Sequence, residues 1–189
     1  MRPPTSSVKF TYEDFLNFPD DGKRHEIIDG EHYVTPSPNT KHQAVSLNLA
    51  VLIATYLRQH PIGHVFTAPF DVVFSDLDIV EPDLLYISRE SLDVLTDKHV
   101  RGSPNLVIEI LSPGTRRTDE VTKRKLYERF AVSEYWIVDP ELDEIKVYRR
   151  TDNAFVRVAE LTAEKMDVLT TPPLPDWSAT LVEIFSSPV

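Results

Sequence analysis

Residues 105–140 read NLVIEILSPGTRRTDEVTKRKLYERFAVSEYWIVDP, and this stretch decides the architecture. "NLVIEIL" is almost continuously apolar, the pattern of a strand covered on both faces. "SPGTRRT" breaks the run, Asp119 to Val132 carries a helical pattern, and "EYWIVDP" is again a buried strand. Strand, helix and strand in that order make a crossover. At least part of the sheet is therefore expected to be parallel and sandwiched between helices.

Outward from this unit, "HVFTAPFDVVFS" and "DIVEPDLLYIS" read as two strands joined in an antiparallel hairpin around Asp76 to Asp78. A helix is expected from Lys41 to Gln59, with Val45, Leu49, Leu52, Ile53 and Tyr56 at helical spacing. "HEIIDGEHYV" alternates around Asp29-Gly30, a hairpin signal. Thr11 with Asp14 resembles an N-cap pair opening a short helix through Asn17. The segment 88–104 reads as a loop with one helical turn. "EIKVYRR" and "AFVRVAEL" form a meander, and "SATLVEIF" reads as a last short helix capped by Ser178. Neither a repeat nor a linker interrupts the chain, so one domain is expected over 8–186, with loose tails at 1–7 and 187–189.

With 189 residues, 41% of them hydrophobic, the chain can bury a substantial core. The lack of cysteine removes disulfides and thiolate metal sites and agrees with a reducing, cytoplasmic setting. "MRPPTSSVKFTYED" contains no apolar signal region, and "AVSLNLAVLIATYL" is too short to span a bilayer, so no membrane partner is expected. A net charge of −10 argues against a general nucleic-acid coat. One segment runs the other way: Arg116, Arg117, Lys123, Arg124, Lys125 and Arg129 fall between Ser112 and Arg129, against Asp119, Glu120 and Glu128. It reads either as a grip on phosphates or as a solvated helix face.

Two carboxylates stand in apolar strands: Asp83 in "EPDLLYIS" and Glu109 in "NLVIEIL". Alternation puts Glu109 on one face with Asn105, Val107 and Leu111, and Asp83 on one face with Leu85. If the strands pair, the two acids converge, and both repulsion and lost hydration must be offset. A divalent cation does this; so does a buried Lys or Arg. The following helix offers a cation, because Lys123 stacks with Leu126, Tyr127 and Phe130 on the core-facing stripe, while Lys125 points away. Such a lysine beside a metal-binding pair could orient an attacking water or stabilise a phosphate, and it could equally just neutralise the acids.

"RHEIIDGEHYV", "EPDLLYIS" and the stretch from 105 to 140 resemble the Uma-type putative restriction endonuclease family of the PD-(D/E)XK nuclease-like superfamily. The resemblance runs roughly from Thr11 to Phe185 and is most specific from Ser112 to Pro140. It implies an α/β fold with a restriction-endonuclease-like αβα three-layer core and mixed sheet, flanked by an N-terminal hairpin and a C-terminal meander. It also implies a Mg²⁺-dependent endonuclease acting on DNA, with Mn²⁺ as a substitute metal. Asp83 and Glu109 match the acidic metal ligands, with the carbonyl of Ile110 as a further ligand. The superfamily's lysine belongs two residues after the glutamate, where this chain has Leu111; the family carries it on the next helix, here Lys123. Glu26 and His42 match recurrent family residues, as a further acid and as either a site or a helix-start histidine. Tyr127 is expected to pack beside the site, and Arg116 and Arg117 to meet the DNA backbone. A homodimer follows by analogy with duplex-cutting relatives. Two alternatives stay open: a catalytically silent module binding nucleic acid or protein, and a structural dimer fixed by its buried polar cluster.

Overall fold

The structure is a computed structural model describing residues 8–35 and 37–186; the tails expected at 1–7 and 187–189 lie outside the described residues. Tyr12–Phe15 forms α1, opened by a capping box between Thr11 and Asp14. Strands β1 (Arg24–Ile28) and β2 (Glu31–Thr35) make the expected hairpin. Asp29 and Gly30 both take positive φ, 53° and 76°, which a two-residue turn matched to strand twist requires. Helix α2 (Thr40–Gln59) begins at Asn39, whose side chain accepts from the His42 amide, and buries Val45, Leu49, Ile53 and Leu57.

The two long strands read between 64 and 88 are in fact four: β3 (Gly63–Thr67), β4 (Val72–Ser75), β5 (Asp78–Val80) and β6 (Leu84–Ser88). Strands β4 and β5 form the hairpin around Asp76, whereas β3 and β6 pair with each other in a different sheet. The breaks fall at Pro69 and Pro82, which lack the N–H a continuous ladder needs. Between them, the Ala68 amide donates to the Asp83 carbonyl at 3.0 Å and ties the crossing point. A 3-10 turn at Arg89–Val94 and the short β7 (Val100–Arg101) follow, the latter within the segment read as loop.

The crossover comprises β8 (Leu106–Ile110), a π-turn at Thr118–Lys123, α3 (Arg124–Arg129) and β9 (Glu134–Asp139). Strands β8 and β9 are parallel, in register from Leu106↔Glu134 to Ile110↔Val138. The helix stops before Val132, since Ala131 takes φ 60°, a left-handed end to the helix. Strands β10 (Glu144–Thr151) and β11 (Ala154–Thr162) complete the meander. The hairpin β12 (Val168–Thr171) and β13 (Leu174–Thr180) is not among the elements expected from the sequence; Pro172 and Pro173 occupy its turn. Ser178 lies inside β13; Thr180 is the cap of α4 (Leu181–Phe185), in a capping box with Glu183.

The strands form a six-stranded sheet ordered β11-β10-β9-β8-β6-β3 and a five-stranded sheet ordered β2-β1-β5-β4-β7. On one face of the larger sheet, Leu84, Ile108 and Trp136 pack under α2, α4 and the last hairpin. On the other, Leu85, Val107 and Ile137 pack against Leu126 and Tyr127 of α3 and against Ile28 and Val80 of the smaller sheet. The αβα layering thus holds, with the smaller sheet sharing one outer layer with α3. No helix among the described residues is long and apolar enough to cross a membrane.

Candidate active site

Strands β6 and β8 are antiparallel, with Leu84 opposite Ile108 as the last pair. One further step in that register sets Asp83 opposite Glu109, at the end of the sheet where β6 stops. Both side chains fall on the α3 face and are buried, 3% and 2% exposed. Because β6 has ended, the Ile110 amide has no strand beside it and donates to Asp83 Oδ2 at 2.8 Å instead. A strand residue's N–H and C=O point to the same edge, so the Ile110 carbonyl faces this end too.

The π-turn widens the first turn of the crossover helix and brings Asp119 and Lys123 inward, both buried. Lys123 Nζ lies 2.8 Å from Glu26 Oε1, 3.0 Å from Glu109 Oε1 and 3.7 Å from Asp119 Oδ1. The Tyr127 hydroxyl donates to Glu109 Oε1 at 2.6 Å. Both hydrogen bonds to Glu109 therefore fall on Oε1, while Oε2 receives none among the described residues. Lys125 is exposed.

Glu26 Oε1 also accepts from the Glu81 amide at 2.9 Å. The α2 N-cap turns His42 toward β6, where Nε2 meets Asp83 Oδ2 at 3.1 Å. Its Nδ1 has no hydrogen-bond partner among the described residues. Asp83 Oδ1 meets Arg24 Nη2 at 2.8 Å, too poorly aligned for a hydrogen bond. The same guanidinium reaches Glu81 Oε1 through Nε at 3.1 Å and donates to the Glu81 carbonyl through Nη1.

The structure thus gathers Asp83, Glu109, Ile110, Lys123, Glu26, His42 and Tyr127. It leaves Arg116 outside, clamped on Asp139 at 2.6 Å and Glu141 at 3.1 Å, and Arg117 exposed beyond the cleft. Three members were not among the site residues expected from the sequence: Arg24, Glu81 and Asp119. Arg24 alternates with Glu26 along β1, and Asp119 precedes Lys123 by one helical turn, so the signals for these two were present.

Five carboxylates, those of Glu26, Glu81, Asp83, Glu109 and Asp119, share two cations, Lys123 and Arg24. Even a protonated His42 leaves an excess of acid. Burial pushes Glu109 up to about 8; Lys123 opposes this, while Asp119, Asp83 and Glu26 reinforce it. Burial likewise lifts Asp119 to about 6 and Glu81 to about 7, against Lys123 and Arg24 respectively. Burial also works against the charge on Asp83, but the His42 hydrogen bond, Arg24 and the Ile110 amide outweigh it and bring that carboxyl down to about 2. Lys123 stays protonated: burial favours its neutral form, and Glu109, Glu26 and Asp119 override it.

The cleft over these groups is small, about 20 Å³, enough for one water-sized body. It adjoins a groove of about 410 Å³ lined by Lys23, Arg24, Gln43 and Glu81, with Arg24, Thr35 and Pro38 common to both. A larger groove of about 560 Å³, by the end of α2 and β3, contains no carboxylate and has no part in this chemistry. Among the described residues no three His, Asp or Glu side chains already surround a common point as metal ligands. The donor set nevertheless suits a hard divalent cation: oxygen ligands, more carboxylates than cations, a Glu109 oxygen without a hydrogen-bond partner among the described residues, and room for water.

The chain matches the family described as "Uma2: Putative restriction endonuclease" over residues 12–182. It is 25% identical over 159 residues to "Uncharacterized protein slr1290" of Synechocystis sp., covering 80% of each chain. The crystal structure of "a putative nuclease belonging to DUF820" from Anabaena variabilis superposes with a TM-score of 0.78 at 20% identity, covering 93% of this chain and 97% of that one. That likeness establishes a shared fold, and the family match spans every residue of the cleft. The chain belongs to the Uma2 family of putative restriction endonucleases.

Proposed function

We propose that the protein is a Mg²⁺-dependent endonuclease that hydrolyses phosphodiester bonds of DNA. The observation that carries this reading is the acidic excess around one buried lysine at the end of two paired strands. A structural ion pair needs one acid per cation; here Lys123 alone faces Glu26, Glu109 and Asp119. Asp83, Glu109 and the Ile110 carbonyl would hold the metal. When bound, a divalent cation lowers the pKa of a coordinated water and offsets charge on the phosphate. His42 and the Ile110 amide fix the Asp83 carboxylate by occupying Oδ2, which leaves Oδ1 for a cation. Tyr127 and Lys123 fix Glu109 by Oε1 and leave Oε2 without a hydrogen bond among the described residues. Glu26 and Asp119 hold the Lys123 ammonium in place, where its remaining donor capacity can orient the attacking water or meet a phosphate oxygen.

A second reading, a nuclease fold that binds nucleic acid or protein without cutting, is favoured by one specific observation: Arg24 and Lys123 already contact the acids that a metal would use. Nicking of supercoiled plasmid separates the two. The wild type should convert it to open circles in Mg²⁺ or Mn²⁺, and Asp83→Asn, Glu109→Gln and Lys123→Ala should each lose about 100-fold or more. Intact plasmid with wild type in both metals would leave the binding module as the better account. Cytoplasmic residence, a single domain over 8–186, contacts of Arg117 with the DNA backbone and pairing of two copies for duplex cutting belong to the same proposal.

A further inference from the structure

Of the two oxygens of Asp83, Oδ2 is satisfied twice, by His42 and by the Ile110 amide, and Oδ1 is buried, its one cation among the described residues being the Arg24 guanidinium at 2.8 Å. A cation recruited to Asp83 therefore has to use Oδ1, the oxygen on which Arg24 stands. Arg24 is anchored separately, through Nε and Nη1, to the side chain and carbonyl of Glu81. Its side chain is 18% exposed and lines both the narrow cleft and the wide groove next to it. A planar fork held at one end by Glu81 can leave Asp83 without losing all its partners. A phosphodiester in the wide groove offers it a replacement anion of the geometry that guanidinium groups match best.

We propose that Arg24 is an exchangeable counter-ion: it holds Asp83 Oδ1 until a divalent cation takes that oxygen, then turns on Glu81 into the adjoining groove to grip a substrate phosphate. This rests on the metal-dependent reading above and adds an order of events to it. Metal loading and DNA binding become coupled, because one side chain answers to both. Loading then exposes the phosphate-binding group only when the seat is ready.

Two measurements on the full chain test this. The first maps phenylglyoxal modification of Arg24 by mass spectrometry. Adding Mg²⁺ should increase labelling of Arg24 several-fold, and adding duplex DNA should suppress it again, while labelling of Arg117 should not respond to Mg²⁺. The second compares Mg²⁺ binding by calorimetry in wild type, Arg24→Gln and Arg116→Gln, each checked for folding by circular dichroism. Arg24→Gln should bind Mg²⁺ about tenfold more tightly and lose the Mg²⁺-induced gain in DNA affinity. Arg116→Gln, which removes an equal charge away from the cleft, should keep both values near wild type. Should Arg24→Gln fail to fold, the labelling measurement on wild type still decides. Unchanged Arg24 labelling in wild type that binds Mg²⁺ would overturn the exchange and leave the nuclease reading standing. Absence of Mg²⁺ binding in wild type and Arg24→Gln alike would overturn both.

Discussion

Glu134 and Glu109 stand on adjacent parallel strands of the same sheet, 1% and 2% exposed, at opposite ends of their pairing. Glu134 Oε1 accepts from Trp136 Nε1 at 2.7 Å and Thr171 Oγ1 at 2.6 Å, and its Oε2 accepts from Arg149 Nε at 2.7 Å. Each oxygen is satisfied, and one acid faces one cation. Glu109 shares Lys123 with Glu26 and Asp119, receives both its hydrogen bonds on one oxygen, and is held far above the ordinary carboxylate range. Burial alone therefore does not mark a functional acid in this molecule. Under the proposed function unequal compensation does, and it occurs at the carboxyl end of β8, where open sheets of this kind tend to place ligands.

The strongest way to break this contrast is to remove the shared cation. Lys123→Ala should cost about 3–5 kcal/mol in chemical denaturation, since three buried carboxylates lose their common partner. A cost within about 0.5 kcal/mol would mean that the acids are relieved by other means. Next comes the closed pair: Glu134→Ala should cost about 2–3 kcal/mol, because a buried indole N–H and a hydroxyl lose their acceptor and a half-exposed guanidinium its partner.

Glu109→Gln should move stability in the opposite direction. The amide oxygen can still accept from Lys123 and Tyr127, and an acid that must keep its proton leaves an overcrowded cluster. The sign follows from linkage. Burial holds Glu109 near 8, against 4.5 for the free group, so the folded protein keeps a proton that the unfolded chain gives up. That contribution is fully present below pH 4.5 and is lost as pH rises toward 8. Wild type and Glu109→Gln should thus melt together near pH 4.5 and diverge above it, the variant being more stable at pH 8 by at least about 1 kcal/mol, or about 2–4 °C. A variant less stable than wild type at both ends of that window would place Glu109 with Glu134 as a structural acid. The smallest effect belongs to Lys125→Ala, which should stay within about 0.5 kcal/mol because the side chain is exposed.

Much of the site was legible because it follows local periodicity. Alternation along residues 83–85 and 105–111 put both acids on one face, and the helical stripe through Leu126 and Tyr127 separated Lys123 from Lys125. Arg24 obeys the same rule on Glu26's strand, but its importance appears only when β1 is seen beside Glu81 and Asp83. The division of 63–88 between two sheets was harder. Pro69 and Pro82 announce breaks, yet which sheet each half joins depends on pairing with Arg101, Leu106 and Ile27, all distant in sequence. The π-turn at Thr118–Lys123, with Asp119 and Lys123 both buried, changes the helical phase in a way that a regular helical wheel does not contain. The basic run from Arg116 to Arg129 was open to two readings for a related reason. Composition showed the charges but not that Arg116 and Arg129 already pair with Asp139 and Asp78.

The most direct measurement is a calorimetric Mg²⁺ titration at pH 8 of wild type, Asp83→Asn, Glu109→Gln and Glu134→Gln. The contrast between the two acids predicts binding in wild type and Glu134→Gln and its loss in both cleft variants. Binding that survives both cleft substitutions, or wild type that takes up neither Mg²⁺ nor Mn²⁺, would contradict it.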